Sequence, residues 1–160
     1  MNSGFTLRIF PDPFLIKKAQ DVLSFDEKLT QKVIHLYKAL EELGGVGLSA
    51  NQINMTDKMF VFKTPEEQGV CINPQIIWQG HTNEDSEEGC LSLPGIFLKI
   101  KRSTEIKVKY QTEEGTFVEK ELQGFLARVF QHEFDHLEGK TIVWYLSKLK
   151  RDIIVKKLSK

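Results

Sequence analysis

The chain has 160 residues, about the length of one domain, and its formal net charge is zero because 22 Lys plus Arg balance 22 Asp plus Glu. This balance argues against a dedicated DNA-binding protein, and no apolar run approaches the roughly 20 residues of a membrane-spanning helix. The first residues lack the features of a secretory signal, and two cysteines suit a reducing compartment. We therefore expect one domain, residues 1–160, that stays where it is made and has no membrane partner.

The first clear pattern along the chain is helical. Ser24 and Glu27 have the spacing of a capping box, which predicts a helix that begins just after Ser24. Apolar residues at helical spacing over 29–43 predict one buried stripe. Gly44 and Gly45 follow this stripe. Glycine is typical of the end of a helix, so we expect the helix to end there.

Strand patterns and two further helical patterns occupy the rest of the chain. Strand-like runs lie at residues 59–62, 70–73, 76–79 and 104–110. The last run alternates apolar and polar residues and leads into a turn at 113–115, which predicts a half-buried hairpin. Helical patterns at 125–137 and 147–158 flank a short apolar run. No repeat or linker divides the chain, so the patterns indicate one α+β domain.

The sharpest motif is His132-Glu133-Phe134-Asp135-His136, inside the second helical pattern. Residues four apart lie on one face of a helix, so the imidazoles of His132 and His136 can reach one cation, with Glu133 beside them as a proton acceptor. This arrangement is typical of metal-dependent hydrolases. The alternative is a solvated helix on which two histidines stand four apart by chance.

A catalytic site with two histidine ligands needs a third protein ligand. After Glu138 the chain has no Glu or His and only one acid, Asp152, so the downstream ligand of many metalloproteases is missing. The upstream candidates are Cys71, Cys90, His35 and His81. His35 falls in the first predicted helix and Cys71 in an apolar run, where a buried structural role is typical. Cys90 follows a glycine in a polar stretch, so it is our candidate for the third ligand.

A glycine-rich segment at 45–52 is the third element of the predicted site. The glycines of Gly45-Val46-Gly47 would let a substrate backbone lie against the protein, and no Gly-Lys-Ser/Thr of a phosphate loop follows them. Gln52 offers an amide donor of the kind that stabilises an oxyanion. Glycines after a helix usually only cap it and turn the chain, so this segment indicates a site only together with the other motifs.

Together the three motifs resemble those of the peptide deformylases. The segments 45–52, 88–92 and 132–136 occur in the order and approximate spacing of that family, with Ser49 where alanine is usual. The resemblance implies a compact α+β fold in which the metal-binding helix packs among antiparallel sheets. It also implies a cytoplasmic enzyme that removes the formyl group from N-formylmethionyl peptides and nascent chains and releases formate.

The same resemblance implies roles for individual residues. Cys90, His132 and His136 would hold one divalent metal ion, with Fe(II) as the native metal and Zn(II), Ni(II) or Co(II) as substitutes. A thiolate ligand favours such metals over magnesium or calcium. Glu133 would accept the proton of the attacking water. The Gln52 amide and the Leu91 backbone N–H would stabilise the oxyanion.

Two other functions stay open on the sequence alone. One is a metallopeptidase that cleaves internal peptide bonds, and the missing downstream ligand counts against it. The other is a module that binds metal or formyl peptides without turnover. The presence of both Glu133 and Gln52 argues against this module, because a binder needs neither a base nor an oxyanion donor.

The face of the second helix that carries the histidines also predicts a substrate pocket. Phe125 and Val129 lie on or beside this face, one to two turns before the histidines, and would form an apolar pocket for methionine. Arg128 would lie at its edge, where many family members have an apolar residue. Its head group, kept in water, would then meet the substrate beyond its first residue and select acidic peptides. The alternative is that Arg128 pairs with an acid such as Glu42 or Glu88 and only positions the helix.

The end of the chain is basic. Between residues 148 and 160 there is one acid, Asp152, and six basic residues: Lys148, Lys150, Arg151, Lys156, Lys157 and Lys160. A run of charges is usually a solvated helix face. The alternative, implied by the C-terminal helix of some bacterial relatives, is docking on ribosomal RNA near the nascent-chain exit, which would depend on salt.

Overall fold

The computed structural model describes residues 4–159, in which helices pack against two antiparallel sheets. The helices are α1 (Glu27–Leu43), α2 (Gly124–Leu137) and α3 (Lys148–Leu158), with short 3-10 turns at Pro13–Ile16, Ala50–Ile53 and Ile142–Tyr145. The strands are β1 (Gly47–Ser49), β2 (Met59–Lys63), β3 (Gln68–Gln79), β4 (Asn83–Cys90), β5 (Leu93–Ser103), β6 (Glu105–Gln111) and β7 (Phe117–Gln123). The predicted α+β class with antiparallel sheets is therefore confirmed.

The larger sheet has five strands in the order β1-β2-β3-β6-β7, so β1 is an edge strand. Its central strands form because their apolar residues alternate or run together: Ile106 and Val108 of β6 are buried, whereas Lys107 between them is exposed. β6 and β7 form the predicted hairpin, with Glu105 opposite Gln123. The two predicted runs at 70–73 and 76–79 are one strand, β3, whose pairing with β6 shifts register twice.

The smaller sheet is the β4–β5 hairpin, whose strands were not predicted from the sequence. Its two strands pair from Asn83 opposite Ser103 to Cys90 opposite Leu93, and the register shifts between Gly89 and Cys90. A shift of this kind re-aims a side chain at the end of a ladder. The hairpin thus ends at Cys90, one of the predicted ligands.

Helix α1 begins later than predicted. Its N-cap is Asp26, whose side chain accepts a hydrogen bond from the Leu29 backbone N–H, so the capping box predicted at Ser24 is wrong. Aspartate is as good an N-cap as serine, and it stands directly before Glu27. The end of the helix is confirmed, because Gly44 is the C-cap with a φ of 74° in the left-handed region.

Helix α2 is the element that joins the two sheets. It begins directly after β7 and contacts β1, β2 and β7 of the larger sheet and β5 of the hairpin. On its inner face Phe130 packs edge-to-face on Phe60 of β2, with ring centres 5.0 Å apart. Each fully buried aromatic of this kind contributes about 1.5–3 kcal/mol through burial. The helix that carries both predicted histidine ligands is therefore held from two sides.

Candidate metal centre

The three predicted ligands lie together. One ligand atom from each of Cys90, His132 and His136 falls within 4.8 Å of the others. The Cys90 Sγ is 3.3 Å from the His136 Nε2. The end of the β4–β5 hairpin supplies the sulfur, and consecutive turns of α2 supply the two imidazoles. A thiolate with two imidazoles is a donor set that suits Fe(II), Zn(II) or Co(II).

A buried carboxylate orients His132. The Glu88 Oε1 is 2.9 Å from the His132 Nδ1, which assigns the Nδ1 proton to this contact and leaves Nε2 to act as a ligand. Burial alone would raise the pKa of Glu88, but hydrogen bonds from Arg102 and His132 outweigh it and hold this pKa well below its usual range. Glu88 is therefore an ionised acceptor for the imidazole N–H.

Arg102 connects Glu88 to helix α2, and sequence reasoning missed it. Its Nε and Nη2 each donate to one oxygen of Glu88 at 2.9 Å, and its Nη1 donates to Asp135 Oδ2 at 2.6 Å. The Tyr145 hydroxyl donates to the same Asp135 oxygen at 2.6 Å. Tyr145 lies 43 positions after Arg102 and 10 after Asp135, so only the fold brings the three side chains together. The one sequence signal was that Asp135 stands inside the histidine motif.

His136 is the most buried of the three predicted ligands. Burial and the neighbouring His132 lower its pKa well below the usual value, which favours the neutral imidazole that binds metals. The Asn51 side-chain amide donates to the His136 backbone oxygen at 2.6 Å. The glycine-rich segment thus also holds the last turn of α2.

Glu133 is buried beside the predicted ligands. It is 4% exposed, and its Oε1 has no hydrogen-bond partner among residues 4–159. Its Oε2 is 4.0 Å from the His132 Nε2. Burial raises the pKa of Glu133 to about 7. A carboxyl group with a pKa near neutrality can both accept and return a proton.

Gln52 has a fixed orientation. Its Oε1 accepts a hydrogen bond from the Ser49 backbone N–H at 3.0 Å and lies 3.1 Å from the Ser49 hydroxyl oxygen, which donates its one proton to the nearer Asn51 Oδ1 at 2.6 Å. Its amide Nε2 donates to the Ser92 hydroxyl at 3.0 Å and lies 3.8 Å from the Cys90 Sγ. The amide donor therefore faces the ligand cluster. The buried hydroxyl of Ser49, which stands where alanine is usual in this motif, is therefore hydrogen-bonded.

An open cavity of about 480 Å³ leads to the cluster. Its wall includes every residue predicted for substrate binding or catalysis and two of the predicted ligands: Gly45, Val46, Gly47, Gln52, Cys90, Leu91, Phe125, Arg128, Val129, His132 and Glu133. Phe97 lines this wall too, and both Phe97 and Phe125 are exposed. A concave, mostly apolar wall with a few polar groups at one end is typical of a small-ligand site.

Of the two alternatives for Arg128, the structure has the pairing with an acid. Its Nη1 donates to Glu88 Oε2 and to the Ile100 carbonyl oxygen, the latter at 3.0 Å. Its Nη2 donates to the Glu84 carbonyl oxygen at 2.7 Å. Glu42 is not among its partners. The guanidinium is thus directed at the hairpin.

The other candidate ligands lie elsewhere. Cys71 is buried in β3 opposite Phe60, and burial raises the pKa of its thiol far above the usual value. His35 of α1 packs edge-to-face on Phe5, and His81 is exposed before β4. The structural role that the sequence favoured for Cys71 and His35 agrees with these positions.

None of the helices between residues 4 and 159 combines the length and the apolar character needed to cross a lipid bilayer.

Known proteins match this chain over nearly its whole length. The sequence profile of the family "Polypeptide deformylase" matches residues 5–152. The peptide deformylase of Thermotoga maritima is 44% identical over 154 residues, which cover 96% of this chain and 94% of that relative. A relative of the same name from Acidobacterium capsulatum is 36% identical over 156 residues, covering 94% and 91% of the two chains.

Solved structures agree in fold. The crystal structure of the Thermotoga maritima enzyme superposes with a TM-score of 0.86 and covers 89% of this chain and 97% of that one. The peptide deformylase of Ehrlichia chaffeensis in complex with actinonin is 32% identical, with a TM-score of 0.93 over 96% of this chain and 95% of that one. The chain therefore belongs to the polypeptide deformylase family, a family of metal-dependent hydrolases that remove the N-formyl group from nascent peptides.

Proposed function

We propose that this chain hydrolyses the formyl amide at the N-terminal methionine of nascent polypeptides, releases formate and works in the cytoplasm. One observation supports this proposal most directly. A buried carboxyl group, Glu133, stands beside a cluster of one sulfur and two imidazoles at the end of a cavity. Hydrolysis of an unactivated amide needs an activated water, a proton carrier and an oxyanion site.

Cys90, His132 and His136 hold one divalent cation, which we propose is Fe(II) in the cell and replaceable by Zn(II), Ni(II) or Co(II). Two observations support the fit: the ligand atoms are mutually close, and Glu88 accepts the outer N–H of His132. When bound, such a cation lowers the pKa of water and polarises a carbonyl oxygen. All other steps belong to side chains and backbone of this chain.

Glu133 moves the proton. Its Oε1 is the buried oxygen without a partner in the described part of the chain, so it is free to accept a proton from the attacking water. The proton then passes to the departing amine of methionine. The Gln52 amide and the backbone N–H of Leu91 stabilise the oxyanion that forms in between. Because the Ser49 backbone N–H donates to the Gln52 oxygen and the Ser92 hydroxyl accepts from the Gln52 amide, this donor is already oriented before the reaction.

The cavity holds the substrate. Gly45, Val46 and Gly47 lie along one wall, in and before the edge strand β1, and receive the peptide backbone. Phe125 and Val129, together with the stem of Arg128, receive the methionine side chain. Selection of acidic peptides by Arg128 has less support, because its donors already face Glu88 and two carbonyl oxygens.

Formate release tests the function. The metal-free protein is loaded with Fe(II) under anaerobic conditions and given formyl-Met-Ala-Ser, with acetyl-Met-Ala-Ser as the matched control substrate. We expect stoichiometric formate and free methionyl peptide from the first substrate alone. Cleavage at the Met-Ala bond would instead favour the metallopeptidase, and tight binding of the formyl peptide without formate would favour the non-catalytic module.

We further propose that helix α3 docks on ribosomal RNA. The described residues of α3 include Lys148, Lys150, Arg151, Lys156 and Lys157, whereas Lys160 lies outside the described residues. All of these described lysines are exposed, and Lys148 is paired with Asp152 at 2.9 Å. Cosedimentation with ribosomes at rising salt concentration tests this docking, because phosphate contacts weaken steeply with salt.

A further inference from the structure

The metal centre is assembled from two separate parts of the fold. Cys90 stands at the end of the β4–β5 hairpin, whereas His132 and His136 stand on α2. The hairpin belongs to a different sheet from β6 and β7, the two strands directly before α2. The distance between the Cys90 sulfur and the two imidazoles therefore depends on the contacts that hold the hairpin against α2. A ligand misplaced by a fraction of an ångström loses affinity, so these fastening contacts matter for the site.

Arg128 is one such fastening. It projects from α2 one turn before His132, and its guanidinium donates only to acceptors on the hairpin among the contacts described above: Glu88 Oε2, the Glu84 carbonyl oxygen at 2.7 Å and the Ile100 carbonyl oxygen at 3.0 Å. Two of these acceptors are on β4 and one is on β5. The side chain is 13% exposed, so solvent screens these contacts little.

The Arg128 contact also completes the surroundings of Glu88. Oε2 accepts from Arg128 Nη1 and Arg102 Nε, whereas Oε1 accepts from Arg102 Nη2 and faces His132 Nδ1. A carboxylate has about four acceptor positions, and all of them are used here. The donors on Arg102 and Arg128 thereby hold the carboxylate where it meets the imidazole N–H. Two guanidinium groups also neutralise part of the charge of this carboxylate, whose Oε1 faces His132.

We propose that Arg128 is a positioning residue of the metal centre, which fastens the Cys90-bearing hairpin to the histidine-bearing helix and fixes Glu88 against His132. The inference rests on the proposed metal-binding role of Cys90, His132 and His136. Arg128 itself touches neither the metal ligands nor the reacting atoms by any contact described above. It acts through Glu88 and through the backbone of both hairpin strands.

Metal affinity in the absence of substrate tests the proposal. Metal-free wild type, Arg128→Met and Arg128→Lys are titrated with Co(II), and the absorption bands of the cobalt–thiolate centre are recorded. Lys32→Met is the matched control, since it also removes one cation from a carboxylate, Asp57, on an unrelated surface. Loss of a residue that supports a ligand commonly costs 10- to 100-fold in metal affinity.

We expect Arg128→Met to bind Co(II) at least about 10-fold more weakly than wild type, with shifted thiolate bands. Arg128→Lys should lie between the two, because an ammonium group can pair with Glu88 but cannot span three acceptors. Lys32→Met should match wild type. Far-ultraviolet circular dichroism of the metal-free proteins checks folding, and if Arg128→Met does not fold, Arg128→Lys alone gives the answer.

Wild-type Co(II) affinity and wild-type bands in the folded Arg128 variants would overturn the proposal. Formate assays separate this failure from failure of the proposed function. If Arg128→Met binds Co(II) normally and loses activity only on acidic peptides, the function stands and Arg128 is a selectivity residue instead. If wild type binds Co(II) but releases no formate, the function fails, while weaker Co(II) binding by Arg128→Met would still support the positioning role.

Discussion

Gly47 and Glu133 lie in direct contact across the candidate site. A Cβ atom placed on Gly47 would stand 2.6 Å from the Glu133 Oε2, closer than real Cβ contacts. Gly47 lies in the regular edge strand β1, where its φ is not in the left-handed region. A glycine is therefore required here because the carboxylate approaches closely. The backbone conformation itself would accept another residue.

Gly47→Ala should displace Glu133 and slow turnover at least about 10-fold, because a small misplacement of a proton carrier costs that much or more. Metal content should stay at the wild-type level, since the atoms nearest to a Cβ on Gly47 all belong to Glu133 and not to a proposed ligand. Formate release and metal analysis on the same sample are the measurements. Full activity in Gly47→Ala would show that the carboxylate can move without loss, and would contradict the tight geometry.

Glu133→Ala should leave metal content nearly unchanged and lower kcat by about 10² to 10⁴, which is the usual contribution of a general acid or base. The physical reason is that the role proposed for Glu133 is to move a proton and not to bind the metal. Turnover at several pH values and metal analysis check this. A metal-loaded Glu133→Ala protein with full activity would remove the assignment of the base.

Cys90→Ser should lose metal or activity far more severely than Cys71→Ser, because a hydroxyl group is a poor replacement for a thiolate ligand. Cys71→Ser is the matched control: its sulfur is buried in β3, so its loss should lower thermal stability and leave metal content unchanged. Equal loss of metal from the two variants would mean that Cys71 also serves the site.

The two thiols should also differ in reactivity. Burial raises the pKa of Cys71, so this thiol stays protonated at pH 8, and only a thiolate reacts rapidly with alkylating agents. Cys90 is half-buried at the cavity wall. In metal-free protein, iodoacetamide should therefore modify Cys90 first, as read by peptide mass spectrometry. Modification of Cys71 at a comparable rate would contradict the buried position.

The double substitution Lys156→Glu and Lys157→Glu should weaken ribosome binding and reduce its dependence on salt, because two phosphate-facing cations are replaced by anions. Lys28→Glu with Lys38→Glu, on the exposed face of α1, is the matched control for the change in net charge. Cosedimentation at several salt concentrations measures both. Equal binding by the two double variants would assign α3 to an ordinary solvated face.

Local patterns were enough to predict the parts of the fold in which apolar spacing is regular. The helical stripe of α1, the alternation of β6 and the helix of the histidine motif are confirmed. The β4–β5 hairpin was missed because β4 runs through Asn83, Glu84 and Asp85 and has little apolar periodicity. Its pairing with β5 stabilises it, and that partner is not visible in β4 itself.

For the candidate site, the sequence predicted the ligand and catalytic side chains but missed the residues that position them. Cys90, His132 and Glu133 belong to short motifs with recognisable spacing. Arg102 and Tyr145 have no such motif, and they meet Asp135 only through the packing of β5, α2 and the turn at Ile142–Tyr145. Arg102, which binds both Glu88 and Asp135, looks in the sequence like any surface arginine.

The split origin of the proposed metal centre has a consequence for the stability and turnover of the protein. Cys90 and His136 are 46 residues apart in the chain, so a cation bound to both favours the folded over the unfolded ensemble. At a free metal concentration 100 times the dissociation constant, this linkage adds about 2.7 kcal/mol to the free energy of unfolding. Metal starvation would then remove molecules as well as activity, since the unloaded protein opens more often and meets cellular proteases.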